Sequence, residues 1–245
     1  QNIKTVYENV NYHFMIYFFL IFINCIFLLF FNLIEKKINI FDYPNKKKIH
    51  SKKISSLGGI IFLLNIIIYL IYVYTYQLST FSNIFGFSSN ISNYIFIISI
   101  LFLFFLGIID DKIDLPASIR FLILVIIIGI NLSVNQQINI STIKLSFYDP
   151  FSINNYSFFW TLLCFLLLIN AFNFFDGINL QISGLIFAFC LFFIIKNIFY
   201  NFFIAIIIVN LFFIYLNYKS KTFLGNSGSF FLPFLFGALF ISAYN

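Results

Sequence analysis

Residues 93–114 read NYIFIISILFLFFLGIIDDKID. From Asn93 to Ile109 almost every position is Ile, Leu or Phe, and then Asp110, Asp111, Lys112 and Asp114 arrive together. A helix rises 1.5 Å per residue, so crossing a hydrocarbon core of about 30 Å takes roughly 20 mostly apolar residues. This stretch reads as a membrane span whose charges begin at the interface. The same pattern recurs along the chain. Eight spans are expected, at about Phe14–Ile34, Gly58–Leu78, Asn93–Ile109, Arg120–Val134, Ser157–Phe172, Gln181–Ile195, Phe202–Asn217 and Ser229–Ala243. The fold class that follows is an all-α, polytopic transmembrane helical bundle, with residues 1–245 as one integral membrane domain.

Composition agrees. Of 245 residues, 62% are hydrophobic, 23% aromatic and 9% charged, against about 25% charged in ordinary soluble domains. Too little polar surface remains to cover a water-soluble body. A soluble domain, a disordered tail and a nucleic-acid-binding module are excluded, and the net charge of +6 is no polyanion-binding field. The 40 Phe residues read mainly as lipid-facing or packing filler. Cys25, Cys164 and Cys190 all lie in apolar runs with no metal-binding spacing, so no disulfide framework is expected. The chain starts at Gln1 and its only methionine is Met15, so a fragment is expected.

The basic residues give the sidedness. Lys36, Lys37, Lys46, Lys47, Lys48, Lys52 and Lys53 follow the first span, Lys112 and Arg120 follow the third, and Lys219 and Lys221 follow the seventh. With one span in each gap, these eleven of 14 lie on one side, and Lys4, Lys144 and Lys196 on the other. The positive-inside rule makes the first side cytoplasmic and puts the N-terminus outside. The expected location is the cell (inner) membrane.

The polar clusters fall on that same side. Asp110 and Asp111 are adjacent carboxylates at a helix mouth, where repulsion and desolvation favour a divalent cation or a cationic partner. A plain solvated turn before Pro116 explains them equally. Asn170, Asn173 and Asp176 recur at a spacing of three, which puts them on one side of a helix if it continues. Their amides and carboxylate suit a hydrated metal or a sugar, or else an interhelical hydrogen-bond ladder. Gly225, Asn226, Ser227, Gly228 and Ser229 form a glycine-containing turn entering a helix, a weak pattern that favours phosphate on backbone N–H groups. Lys46 to Lys53, with Lys48, His50 and Lys53, form a basic loop that reads as a phosphate clamp, or simply as an orientation signal beside anionic lipid. Asn24, Asn65 and Asn210 read as packing residues. Together the face suits a phosphorylated, nucleotide-linked substrate with Mg²⁺ and a lipid co-substrate.

These motifs, in order from Phe41 to Gly237, resemble the polyprenyl-phosphate N-acetylhexosamine-1-phosphate transferases, glycosyltransferase family 4. The resemblance rests on Asp42-Tyr43-Pro44-Asn45 through His50 and Gly58-Gly59, on Gly107 to Asp111, on Asn170 to Gly177, and on Phe223 to Ser229. It implies that polyprenyl (undecaprenyl) phosphate attacks a UDP-sugar, that sugar-1-phosphate moves to the lipid, that UMP leaves, and that Mg²⁺ is required. It implies Asp110, Asp111 and Asp176 as catalytic residues, with Asp110 deprotonating the lipid phosphate. It implies Asp111, Asn173, Asp176 and Asn226 around the metal, and it admits a homodimer. Three positions depart from the family pattern. Asn226 stands for the family's Asp, Ser55-Ser56 for Pro-Arg, and Leu180 for a second Gly; the family's later His-rich loop and last spans are missing. A non-catalytic relative is the alternative that Asn226 raises. A transporter would carry its carboxylates near the midplane, whereas these lie at helix ends.

Overall fold

The computed structural model describes residues 3–44, 52–76, 89–145 and 147–245. Among these, nine α-helices form the bundle: α1 (Ile3–Leu29), α2 (Phe31–Ile38), α3 (Gly58–Thr75), α4 (Asn90–Ile113), α5 (Ala117–Val134), α6 (Ser157–Asp176), α7 (Gln181–Ile195), α8 (Tyr200–Tyr218) and α9 (Gly225–Tyr244). Two short antiparallel hairpins cap it, β1 (Phe41–Asp42) with β2 (Ile54–Ser55), and β3 (Thr142–Leu145) with β4 (Tyr148–Ser152).

Among the described residues seven helices are long and apolar enough to cross a membrane, which makes this an integral membrane protein. The eighth expected span, α7, keeps its predicted bounds, but its 15 residues rise only about 22 Å. It forms an antiparallel pair with α8. Leu180 N–H donates to Asn217 Oδ1, Asn210 Nδ2 donates to the Ser183 carbonyl, and Phe193 stacks on Phe203 at 4.2 Å. The first expected span needs correction. The chain breaks at Phe30, and the amphipathic α2 follows, with Phe31 buried and Lys36 and Lys37 in its last turn. A uniformly apolar run carries no periodicity to mark such a break.

The organising element is α9, which packs on α4, α6 and α3. It is the least apolar of the seven spans, with mean hydropathy 1.5, yet 78% of it is buried; α1, at 2.1, is 17% buried. Lipid rewards apolar side chains only where they face it, so a helix sheathed by protein tolerates Ser, Gly and Pro233. Asn24 and Asn65 exchange side-chain hydrogen bonds between α1 and α3, as expected for packing residues.

Candidate active site

Helices α4, α6 and α9 bring their polar ends to one end of the bundle. The chain reaches that end because two loops zip together there. Phe223 N–H donates to the Ser55 carbonyl, Leu57 N–H to Thr222 Oγ1, and Gly58 N–H to the Phe223 carbonyl. Between them opens a cleft of about 590 Å³, lined by Asp42, Ser56, Asp111, Asp114, Arg120, Asn170, Asn173, Phe174, Asp176, Gly177, Ile178, Phe223, Gly225 and Asn226.

The start of α9 does not stand open to an outside anion. Asp176, at the end of α6, accepts the Leu224 N–H on Oδ1 at 2.6 Å and the Gly225 N–H on Oδ2 at 2.7 Å. Asp111, on α4, accepts the Asn226 N–H on Oδ1 at 3.1 Å, with the Ser227 N–H at 3.5 Å from Oδ2. In the turn expected to cradle substrate phosphate, the protein's own carboxylates engage the free N–H groups. Ser227, Gly228 and Ser229 are buried, and they do not line the cleft. Gly228 lies at the crossing of α9 with Gly59 of α3, where an added Cβ would come within 2.9 Å of the Gly59 Cα. Gly225 does line the cleft. It needs to be glycine, because its φ is +76° and a Cβ would meet Asp111 Oδ2 at 2.9 Å.

Burial pushes the Asp176 carboxyl up to about 7, against the opposing pull of its two backbone donors. Asn170, Asn173 and Asp176 share one cleft wall, so the spacing of three continues as helix to Asp176.

Asp110 and Asp111 part company. Adjacent helical residues point about 100° apart, and only Asp111 lines the cleft. The Asp110 side chain has no exposed surface. Its Oδ1 accepts the Leu115 N–H at 3.0 Å, and its Oδ2 accepts both Arg120 Nη1 and Asn226 Nδ2 at 2.8 Å. Lys53 sits with its Nζ 4.6 Å from the centre of the Phe41 ring and does not line the cleft. Lys48 and His50 lie outside the described residues.

Three charged cleft residues were not singled out as site residues from the sequence: Asp42, Asp114 and Arg120. Asp42 arrives through the β1–β2 pairing, and Asp114 turns the chain at φ 50° past the end of α4. A usable signal existed for Arg120, which is the chain's sole arginine beside 13 lysines.

Fold and cleft together define a polytopic integral membrane protein with a carboxylate-lined site at one end of its bundle. The family model for glycosyl transferase family 4 matches residues 93–244, more than half of the sequence, and the chain belongs to that family. Its activity is accordingly that of a transferase moving a phosphosugar onto a polyprenyl phosphate. The matched segment contains Asp110, Asp111, Arg120, Asn170, Asn173, Asp176 and Asn226. No curated protein matches the chain.

Proposed function

We propose that the protein transfers a sugar-1-phosphate from a UDP-N-acetylhexosamine to polyprenyl phosphate, releasing UMP, as the first membrane step of a cell-envelope glycan pathway. The observation that carries this reading is the single cleft in which Asp111, Asp176, two asparagines and an arginine meet beside apolar helix ends. Phe174, on its rim, is 80% exposed, as suits a site shared with a lipid chain.

In the reaction an oxygen of the lipid phosphate forms a bond to the β-phosphorus of the donor. The bond from that phosphorus to the bridging oxygen breaks, and its electron pair leaves with UMP. A phosphate monoester already carries about −1.5 to −2 charges at pH 7. The nucleophile needs little activation, and the site's work is to align two anions and offset their repulsion.

Among the described residues no three His, Cys, Asp or Glu side chains converge on one ion position. Mg²⁺ does not require such a cluster, because it commonly keeps waters and binds through one or two carboxylates plus substrate phosphates. Asp111 and Asp176 would hold it, with side-chain carbonyls of Asn173 and Asn226 beside them. The ion would supply charge neutralisation at the phosphates.

The cytoplasmic assignment of the cleft rests on charge. Lys36, Lys37, Lys52, Lys53, Lys112, Arg120, Lys219 and Lys221 follow or flank the helix ends at the cleft, whereas Lys144 and Lys196 belong to the opposite end. The N-terminus then lies outside.

The test is UMP release from a panel of UDP-N-acetylhexosamines by purified, monodisperse protein with polyprenyl phosphate and Mg²⁺. One donor should release UMP, and only when the lipid phosphate is present. No release from any donor overturns the reading.

A further inference from the structure

The β3–β4 hairpin stands at the end of the bundle opposite the cleft, and its side chains are unusual for a loop in water. Phe147 is 83% exposed, and Phe151 is exposed as well. Asp149, Pro150, Phe151 and Ser152 are consecutive and all exposed, so both faces of β4 are bare. A two-stranded hairpin with nothing over either face is marginal in water, so one that carries exposed Phe rings calls for a cover.

Its depth says what that cover is. Asp176 accepts the Gly225 N–H, which sets the cleft ends of α6 and α9 level with each other. Thr161 lies about 22 Å along α6 from Asp176, and Tyr244 about 28 Å along α9 from Gly225. Both residues hold the hairpin. Ile140, just before β3, donates its N–H to Thr161 Oγ1 and accepts from Ser157 Oγ, and within β3 the Lys144 N–H donates to the Tyr244 hydroxyl. A hydrocarbon core is about 30 Å thick. The hairpin is therefore fastened at the far boundary of the membrane, not out in the solvent beyond it. Tyr156, 74% exposed, and Trp160, the chain's sole tryptophan, are exposed at the same level, where such rings serve as interface anchors.

The strand edge favours lipid over another chain. Ile143 faces Phe151 but Leu145 faces Tyr148, so β4 holds one extra residue, a bulge that falls on Asp149 and Pro150. The proline has no N–H to offer a further strand, and a bulge with Pro blunts an edge against strand addition. Lys144 and Asp149 are the two charges in residues 136–160, and both are exposed. They suit the headgroup layer and resist descent into hydrocarbon.

We propose that the β3–β4 hairpin is a lipid-binding element, whose Phe147 and Phe151 rings insert among the phospholipid headgroups and upper acyl chains of the leaflet far from the cleft. It is fastened to α6 and α9, the helices whose other ends carry Asp176 and Asn226. The inference stands apart from the transferase reading.

The experiment places the full chain in phosphatidylcholine nanodiscs, where both membrane faces meet the buffer. Trp160→Phe removes the native fluorophore, and Phe147→Trp, or in a second protein Phe151→Trp, supplies a reporter in the hairpin. The second reporter answers for a first that fails to fold, and thermal midpoints matching the parent's establish folding. Emission is compared with lipids brominated next to the headgroup, lipids brominated near the chain end, and iodide in the buffer. The hairpin reporter should lose most of its emission to the shallow bromines, less to the deep ones, and little to iodide.

Emission that ignores both brominated lipids and falls with iodide puts the hairpin in water and overturns the proposal. Protection from iodide and from both lipids means that a second copy of the chain covers the rings, which also overturns it. Strongest quenching by the deep bromines places the rings in hydrocarbon and overturns the headgroup-level site. UMP release plays no part in these readings, so the hairpin can fail while the transferase reading stands, and the reverse.

Discussion

Asn226 donates its side-chain amide to Asp110 across 2.8 Å, on the same carboxylate oxygen that receives Arg120. The start of α9 is thereby tied to the end of α4 by a neutral donor, not by a second carboxylate. Asn226→Asp places two carboxylates in contact, a repulsion that a bound cation relieves. The variant should be less stable than the parent in EDTA, by about 1–3 kcal/mol. Its thermal midpoint should rise more than the parent's when MgCl₂ is added, as scanning fluorimetry in both buffers would measure.

Asp176 is the anchor of the α9 turn. Asp176→Ala leaves the Leu224 and Gly225 N–H groups without their carboxylate acceptor, at about 1–3 kcal/mol for each buried group left unsatisfied. Asp176→Asn retains one carbonyl acceptor. Thermal unfolding should rank parent, Asn, then Ala, and UMP release should be lost in both variants.

The raised carboxyl of Asp176 also sets a pH dependence. Its folded value, about 7, lies above the ordinary aspartate value of 3.8, so between these limits the folded state binds more protons than the unfolded chain. Stability contributed by this group therefore falls as pH rises through that window. In EDTA the thermal midpoint of the parent should drop between pH 5 and about 7 relative to that of Asp176→Asn. Mg²⁺ affinity should run the other way and strengthen as pH rises through about 7, because the cation must displace a proton.

Gly107 lets α4 approach α9. An added Cβ would collide with the backbone of Asn226 and Ser227, in rigid structure that cannot swing aside. Gly107→Ala should lower both stability and turnover. Gly184, within α7, has open space around its missing Cβ. Gly184→Ala should be neutral or stabilising by about 0.5–1 kcal/mol. Paired thermal midpoints and UMP release rates separate the two glycines.

Much of this was legible in the chain. The spans could be read because lipid demands long apolar runs, and the wall of Asn170, Asn173 and Asp176 because helical spacing carries through to the last of them. The break at Phe30 was not legible, since nothing in a run of Phe and Leu marks it. The choice between Asp110 and Asp111 was also hidden. Adjacency shows only that they diverge, and which one faces the cleft depends on how α4 is rotated against α9. Distance in sequence hid the rest. Capture of the α9 N–H groups by Asp111 and Asp176 joins residues 115 and 49 positions apart. The Arg120 pairing depends on how the chain turns at Asp114 and Pro116.

In the proposed reaction the β-phosphate travels with the sugar. The most direct test supplies purified protein with polyprenyl phosphate, Mg²⁺ and a UDP-N-acetylhexosamine carrying ³²P in its β-phosphate. Label should appear in the lipid-extractable fraction in step with unlabelled UMP. Label that stays in the aqueous phase as UDP while sugar reaches the lipid would contradict it.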